Sequence, residues 1–383
     1  MPLSVSELYR FFRDWHINTT MADYDCLTKS FCCRETGAAE VQKFLDSVAE
    51  RGGALDDVLS ALFAWELQAS YWPEGLFDAN LCLRFPPSQD FPVEFRTQIN
   101  YSRRNYVAPT DKRAPKTANP CPICYDGNVD SEHKPLLRAY KFMLGHERPV
   151  PYFAQATPFP LVRGHFIVIQ QAHEPMHVNR SSLDELLDFV DKAPSFTACS
   201  NSDVLMAGVS ILGHHHYQVF ARQLMLPVMQ APPVAEASCG GGKVHAAMLR
   251  YPLATMRLFA NVSDRAQLLD IAAAIVDRWK TREAGRNTCN LMTRRWGTDG
   301  YELYLFFRNP SFLTPPDLLR IKSEGVGVVE AAGEGIYPPP ISEEGLAEIR
   351  NHGREILIRI LSGLNPIPSE EFAQVLNELT TAL

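Results

Sequence analysis

The chain has 383 residues, which is enough for one large domain or two medium ones with a substantial core. Apolar residues make up 46% and charged residues 21%, as in ordinary globular proteins, and no run approaches the ~18 apolar residues that a membrane-spanning helix needs. The formal net charge of −7 argues against a nucleic-acid partner, which favours a basic surface, but leaves room for a single bound nucleotide.

The N-terminus and the cysteines indicate a protein of the cell interior. The first residues, Met-Pro-Leu-Ser, lack the basic stretch and following apolar stretch of a secretory signal. The nine cysteines are odd in number and irregularly spaced, so we expect reduced thiols. We therefore expect a cytoplasmic protein with no membrane partner.

The first 85 residues predict helices. Apolar side chains recur at helical spacing in two stretches, and the proline-rich residues 72–87 end this pattern. A strand and a basic turn containing Arg103 and Arg104 are expected within residues 93–107, followed by a loop. The two helical stretches contain Leu8, Phe11, Phe12 and Trp15, and then Leu55, Leu59, Leu62 and Trp65.

Strand and helix signals alternate in the middle of the chain. Residues 166–169 form a compact apolar run typical of a buried strand. Ser182 and Glu185 have the spacing of a capping box at the start of a helix, and Ser263 is expected to begin another. Residues 301–307 and 326–329 predict strands, and residues 342–361 predict a helix interrupted at Gly353. The interleaving indicates an α+β fold.

Three consecutive histidines, His214, His215 and His216, follow an apolar run. A run of surface histidines, or core histidines with hydrogen-bond partners, would explain them without any function. In an extended segment, however, alternate side chains share a face. His214, His216 and Gln218 would then point one way and His215 the other, which places two imidazoles and an amide on one surface suited to phosphate chemistry.

Cys121 and Cys124 form a Cys-x-x-Cys pair after a proline-rich loop. Such a pair can be half of a zinc site, a redox dithiol or a coincidence. The redox interpretation requires a strand-to-helix junction, which the sequence does not predict here, so zinc is favoured. Spacing leaves the other two ligands open among the following histidines: His133, His146, His165, His173, His177 and His214.

Several short motifs, in order, carry a family resemblance. Residues 210–218 read Ser-Ile-Leu-Gly-His-His-His-Tyr-Gln, and residues 199–203 contain Ser-Asn-x-Asp. Together with Cys-x-x-Cys at 121–124 and His-Glu-Pro-Met at 173–176, they resemble the galactose-1-phosphate uridylyltransferase family, especially its second bacterial class, within the histidine-triad superfamily. Further matches cover roughly residues 93–340. His215 stands where the family has an acidic residue, and Gly213 where it has serine.

The resemblance implies a fold and a division of the chain. The fold expected is α+β, a histidine-triad-like antiparallel sheet of two related halves with helices packed outside. Residues 1–90 would form a helical N-terminal region, residues 91–345 the nucleotidyltransferase domain, and residues 346–383 a C-terminal helical segment packed on it. Family analogy also suggests a homodimer.

The resemblance also implies the chemistry of the site. His216 would be the nucleophile that attacks a nucleotide sugar and forms a nucleotidyl-histidine, with UMP the expected nucleotide. Gln218 would donate to a phosphate oxygen. Cys121, Cys124, His173 and His214 would hold a structural Zn²⁺. Substrate-binding candidates are Asn201, Asp203, Ser210, Arg257 and Lys322.

Two alternatives stay open. In a phosphorylase, inorganic phosphate would accept the nucleotidyl group from a nucleotide sugar or a dinucleotide, with His216 and Gln218 in the same roles. In a zinc-stabilised binding protein, catalysis would be lost. The expected partners are therefore a nucleotide sugar and a sugar 1-phosphate, with no nucleic acid.

Overall fold

The structure is a computed structural model, and it describes residues 37–50, 53–73, 75–77, 79–101, 121–221, 225–337 and 339–383. The expected helix through Leu8 and Trp15 and the basic turn at Arg103 and Arg104 lie outside the described residues. Within the described ranges, no helix combines the length and the apolar character needed to cross a membrane.

Seven helices and thirteen strands form the described part of the chain. The helices are α1 (Ala38–Glu50), α2 (Leu55–Gln68), α3 (Arg180–Lys192), α4 (Arg265–Arg282), α5 (Val328–Ala331), α6 (Glu343–Gly363) and α7 (Phe372–Thr380). The strands are β1 (Leu81–Phe85), β2 (Phe95–Ile99), β3 (Ala139–Leu144), β4 (Val150–Ala156), β5 (His165–Gln170), β6 (Phe196–Ser200), β7 (His216–Ala221), β8 (Pro233–Cys239), β9 (Val244–Leu249), β10 (Thr255–Asn261), β11 (Thr288–Trp296), β12 (Gly300–Arg308) and β13 (Glu334–Tyr337).

A ten-stranded antiparallel sheet forms the centre of the fold, in the order β3-β4-β5-β7-β6-β11-β12-β10-β9-β8. The strands β1, β2 and β13 form a separate small sheet, in which β13 runs parallel to β2. The expected α+β fold with a large antiparallel sheet is confirmed.

The large sheet consists of two halves with the same connectivity. Strands β3, β4 and β5 are followed by α3 and then by β6 and β7, with β7 beside β5. Strands β8, β9 and β10 are followed by α4 and then by β11 and β12, with β12 beside β10. The halves join where β6 pairs antiparallel with β11, with Cys199 opposite Met292. The topology agrees with the expected pair of related halves.

Each face of the sheet is covered by its own hydrophobic core, because side chains alternate along a strand. On one face, Tyr217 and Val219 of β7 pack with the buried faces of α1, α2, α3, α4 and α7. On the other face, Phe220 of β7 and Tyr304 of β12 share a core with the small sheet and α6. His216 and Gln218 alternate with Tyr217 and Val219, so they lie on this second face.

The expected capping box at Ser182 is wrong by three residues. Helix α3 begins at Arg180, and the side chain of Asn179 accepts the backbone N–H of Ser182. Ser182 therefore occupies the third helical position. Glu185 is buried and takes part in a different contact, described below. Asparagine and serine are both good N-caps, so residue type does not distinguish the two positions.

Of three other expected elements, one is confirmed, one begins two residues later than expected and one is wrong. The helix at 342–361 is confirmed as α6, with Ser342 as its N-cap and a non-helical backbone at His352, next to the expected break. Helix α4 follows a short 3₁₀ turn at Val262–Asp264 and begins at Arg265 rather than Ser263. The strand expected at 326–329 is wrong, because Val328–Ala331 is the helix α5. Four residues are too few for periodicity to separate helix from strand. The division at residues 90 and 345 stays a prediction.

Candidate active site

Four side chains that are distant in sequence converge at one end of β5 and β7. Their sulfur and nitrogen donor atoms all lie within 4.8 Å of one another. The Sγ of Cys121 lies 3.3 Å from Nδ1 of His214, and the Sγ of Cys124 lies 3.1 Å from Nδ1 of His173 and 3.6 Å from Nδ1 of His214. Two thiols and two imidazoles are a donor set that suits a divalent transition metal such as zinc.

Hydrogen bonds outside this cluster hold its donors in place. The Asn128 side-chain amide donates to the carbonyl oxygens of Cys121 and Cys124, at 3.2 and 2.7 Å, and so ties the Cys-x-x-Cys turn together. The Nε2 of His214 lies 2.8 Å from the carbonyl oxygen of Gln170. Because a carbonyl only accepts, this nitrogen carries the proton, and the lone pair of Nδ1 points toward the thiols.

His216 is buried at the start of β7, with 4% of its surface exposed. Its Nδ1 lies 2.8 Å from the carbonyl oxygen of His214 and must donate to it. The lone pair is then on Nε2, which makes no hydrogen bond with the residues that the structure describes. Burial lowers the pKa of His216 to about 4, so the imidazole is neutral near pH 7. A neutral imidazole with one nitrogen held as a donor and the other free is suited to nucleophilic attack.

Gln218 is half-buried and lies two residues beyond His216 on the same face of β7. Its backbone neighbours are Ile167 of β5 on one side and Cys199 of β6 on the other. The sheet therefore presents an imidazole nitrogen and a primary amide side by side, as the alternation along the sequence predicts.

His215 points to the opposite face, where it joins a buried polar cluster around Glu185 of α3. Its Nδ1 accepts the backbone N–H of His177 at 3.3 Å, and its Nε2 lies 2.8 Å from the hydroxyl of Tyr217. Tyr217 and Tyr152 both donate to Oε2 of Glu185. Burial acts to raise the pKa of Glu185, but the hydrogen bonds from His215, Tyr152 and Tyr217 outweigh it and lower the pKa.

The donors of His177, Glu185 and His215 also lie within 4.8 Å of one another, but ring geometry argues against a second metal site. The rings of His177 and His215 are stacked 3.7 Å apart and 8° from parallel. Lone pairs of imidazole lie in the ring plane, so two rings stacked face to face direct them in separate parallel planes and cannot both point one at a single ion.

Two of the expected substrate ligands make internal hydrogen bonds. The Oδ1 of Asn201 accepts the backbone N–H of Val328 at 3.0 Å. Asp203 accepts from the backbone N–H of Val178, the ammonium of Lys280 and the hydroxyl of Thr288. Both side chains tie the loop after β6 to its surroundings, so these contacts give them a structural role whatever they bind.

The other three candidates lie in different settings. Lys322 is buried, donates to the carbonyl oxygen of Ile336 at 2.9 Å and forms an ion pair with Glu330. Ser210 is exposed in the loop before the histidines. Arg257 is half-buried on β10, four strands from β7, which is roughly 19 Å at the usual strand spacing. Arg257 is therefore not brought close to His216, and the substrate roles of all three stay predictions.

Sequence reasoning missed the side chains that support the site. Glu185 gains its role from Tyr152 and Tyr217, which are far away in sequence. Asn128 instead bonds the nearby carbonyls of the Cys-x-x-Cys turn. Only Asn128 carried a signal, because an asparagine just after a Cys-x-x-Cys turn is well placed to bond its carbonyls.

The comparisons with known proteins agree with these motifs. No protein-family model matches the chain. It is 30% identical over 216 residues to a galactose-1-phosphate uridylyltransferase of Lactiplantibacillus plantarum, a match that covers 51% of this chain and 43% of that protein. It is 27% identical over 298 residues to the Pediococcus pentosaceus protein of that name (70% and 59%) and 24% identical over 361 residues to that of Clostridium acetobutylicum (86% and 70%). The resemblance to this family is confirmed, and the chain spans about half the length of the first two relatives.

A solved structure gives the same fold. Yeast Ap4A phosphorylase Apa2 in complex with AMP aligns with a TM-score of 0.50 and 10% sequence identity, over 80% of this chain and 96% of that one. At this identity the likeness concerns the fold alone, and it supports the histidine-triad-like architecture.

Proposed function

We propose that this protein is a nucleotidyltransferase that moves UMP between sugar 1-phosphates through a covalent nucleotidyl-His216 intermediate. The observation that carries the proposal is the state of His216: a buried neutral imidazole whose Nδ1–H donates to the His214 carbonyl, which leaves the Nε2 lone pair for attack. The relatives named galactose-1-phosphate uridylyltransferase support the choice of UMP and of hexose 1-phosphates.

The first half-reaction would be an attack of Nε2 on the α-phosphorus of a UDP-sugar. A bond forms between Nε2 and the α-phosphorus, and the bond from that phosphorus to the bridging oxygen breaks. The electron pair leaves with the sugar 1-phosphate. The hydrogen bond from Nδ1 to the His214 carbonyl stabilises the positive charge that develops on the ring. Gln218 donates from its amide to a non-bridging oxygen as negative charge builds there.

The second half-reaction would reverse the first with another acceptor. A phosphate oxygen of a different sugar 1-phosphate attacks the same phosphorus, and Nε2 leaves with its lone pair. Dividing the transfer in this way replaces one difficult displacement by two easier ones and lets one site serve both sugars.

We further propose that Cys121, Cys124, His173 and His214 hold a structural Zn²⁺. In a tetrahedral site with metal–ligand bonds of about 2.0–2.3 Å, neighbouring donors lie roughly 3.3–3.8 Å apart. The three thiol–imidazole distances of 3.1 to 3.6 Å are close to that range. The ion would supply positive charge that fixes the His214 end of the strand, two residues before the nucleophile.

Intact-protein mass spectrometry tests the covalent step. The zinc-loaded protein is incubated with separate nucleotide sugars and no acceptor. We expect an adduct of the mass of UMP with UDP-sugars, and none with His216→Gln. The matched control is His245→Gln, which removes an exposed histidine from β9 and should leave the adduct intact. If folded wild-type protein forms no adduct with any donor, the nucleophile is wrongly assigned and a binding function is favoured.

An acceptor panel then tests the transfer. The isolated adduct is mixed with galactose 1-phosphate, glucose 1-phosphate or inorganic phosphate, and the loss of adduct is followed in time. Rapid loss with a sugar 1-phosphate is the expected result. Rapid loss with phosphate and none with the sugars would identify a phosphorylase instead.

A further inference from the structure

His165 at the start of β5 is a buried histidine beside Gln218. It is 5% exposed. In the pairing of β5 with β7, His165 lies opposite Phe220 and Ile167 lies opposite Gln218. His165 and Gln218 are thus diagonal neighbours on one face of the sheet, a separation that a long side chain can span. Within the described part of the chain, Nε2 of His165 is buried without a hydrogen bond.

The tautomer of His165 follows from its surroundings. The backbone N–H of Leu161 donates to Nδ1 at 3.2 Å, so Nδ1 carries a lone pair. Burial lowers the pKa of His165 to about 3, and the ring is therefore neutral near pH 7. A neutral ring whose Nδ1 accepts must carry its proton on Nε2. The ring of Phe220 stacks on that of His165 with centroids 4.3 Å apart, which holds the ring plane.

We propose that His165 is a positioning residue that donates from Nε2–H to Oε1 of Gln218 and thereby turns the Gln218 amide NH₂ toward the reacting phosphate. The proposal rests on the function proposed above. Gln218 is half-buried and is the diagonal neighbour of His165 across the β5–β7 pairing, a separation that its long side chain can span.

The orientation matters because a glutamine amide has two unlike ends. The NH₂ end donates to a phosphate oxygen, whereas the Oε1 end would place two acceptors against each other. Gln218 can present either end unless something fixes it. The Nε2–H of His165 can donate but cannot accept. It therefore binds the Oε1 end of Gln218 and leaves the NH₂ end facing the phosphate before the reaction begins. The direction in which Gln218 acts on the pKa of His165, opposite to that of burial, is the direction expected of an accepting oxygen.

Single-turnover formation of the UMP adduct tests the role. We expect His165→Phe to lower the maximal rate of adduct formation by roughly 10- to 100-fold, below the loss from deleting a transition-state donor outright. The apparent affinity for the UDP-sugar should change by less than about 3-fold. His165→Gln, which can accept from Leu161 and donate to Gln218, should recover part of the rate. Val219→Ala removes buried volume on the helix-covered face of β7 and controls for lost stability without touching this pair.

A double-mutant comparison shows whether His165 acts through Gln218. In the Gln218→Ala background, His165→Phe should have no further effect on the rate, because there is no amide left to orient. The same fold-loss in both backgrounds would overturn the proposal, as would a loss confined to substrate affinity.

Nuclear magnetic resonance of ¹⁵N-histidine-labelled protein gives a readout that does not need turnover. With UMP bound, we expect His165 as the Nε2–H tautomer, with an Nε2 shift that moves in Gln218→Ala. An Nδ1–H tautomer would overturn the proposal even if the UMP adduct forms. An Nε2 chemical shift that is the same in the wild type and in Gln218→Ala would also overturn it. If the expected tautomer and chemical shift are observed but the protein forms no UMP adduct, the result counts against the proposed function and not against the role of His165.

Discussion

At the scale of single residues, neighbouring histidines of the run point to opposite faces of one strand and have different partners. His216 faces the proposed substrate, whereas His215 faces the helix-covered core and reaches Glu185. Glu185 receives hydrogen bonds from Tyr152 and Tyr217, whose hydroxyls are both buried. One carboxylate thus accepts for a whole cluster of donors, and the cluster fixes the segment from which the nucleophile projects.

Removing this carboxylate should be costly. We expect Glu185→Ala to lower the free energy of unfolding by about 3 kcal/mol or more, because at least two buried hydroxyls lose their acceptor. Urea unfolding at pH 7 measures the change. The control is Glu147→Ala, which removes an exposed ion pair with Arg180 and should cost less than about 1 kcal/mol. A Glu185→Ala loss no larger than that of the control would show that the cluster does not stabilise the fold.

The pH dependence of this effect has a definite sign. The folded protein holds the pKa of Glu185 below its usual value near ~4.3, so its stabilisation is complete above about pH 5 and is lost as the pH falls through the folded-state pKa. The difference in unfolding free energy between the wild type and Glu185→Gln should therefore shrink below about pH 4. A difference that stays constant down to pH 3 would contradict the role of the ionised form.

At the scale of elements, the candidate metal centre connects the Cys-x-x-Cys turn to the adjacent ends of two paired strands, β5 and β7. The Cys-x-x-Cys turn precedes β3, His173 follows β5 and His214 precedes β7. The turn is otherwise held together by the side chain of Asn128, and the small apolar cluster of Ile123 and Val129 with strand residues holds it to its surroundings. A bound ion would therefore stabilise the turn and the approach to β7 together.

Loss of the metal should loosen this region first. We expect Cys124→Ser, or treatment with a chelator, to lower the zinc content from about one equivalent to well below one. We also expect a fall in Tm by about 2–3 °C, equivalent to roughly 2 kcal/mol in a protein of this size. Amide hydrogen exchange should rise in residues 121–137. Cys82→Ser, which removes an exposed cysteine from β1, should change neither quantity. Full zinc content in Cys124→Ser would refute the ligand set.

At the scale of the whole molecule, the two halves share one sheet. The pairing of β6 with β11 continues the hydrogen-bonded ladder across the boundary, and the apolar core on the helix-covered face spans both halves. The second half has no counterpart of the His-x-His-x-Gln motif on β12, where residues 300–308 read Gly-Tyr-Glu-Leu-Tyr-Leu-Phe-Phe-Arg. The second half completes the sheet and both cores.

A shared sheet should unfold as one unit. In pulse-labelling hydrogen exchange at increasing urea, peptides covering residues 165–170 and 300–308 should lose protection at the same midpoint. Two separated midpoints would mean that the halves are independent folding units and that the β6–β11 pairing adds little cooperativity.

The sequence by itself determined the local and the linear features of this protein. Helical spacing of apolar residues identified α2, and a compact apolar run identified β5, because both signals depend only on nearby residues. The alternation of His214, His215 and His216 gave the two faces of the segment for the same reason. The order of short motifs gave the family resemblance and, through it, the four cysteine and histidine residues that the structure brings together.

Only the tertiary structure decided which polar side chains act together. Glu185 looked like half of a helix cap, but helix packing brings it beneath β7, where it bonds Tyr217. The settings of the substrate-binding candidates Arg257 and Lys322 also depend on the fold: Arg257 lies four strands from β7, and Lys322 pairs with Glu330, while their substrate roles stay predictions. His165 had no distinguishing sequence signal, since its neighbour Gln218 is set by the register of two strands. Charges and hydrogen bonds act through space over a few ångströms, and only the folded chain fixes those separations.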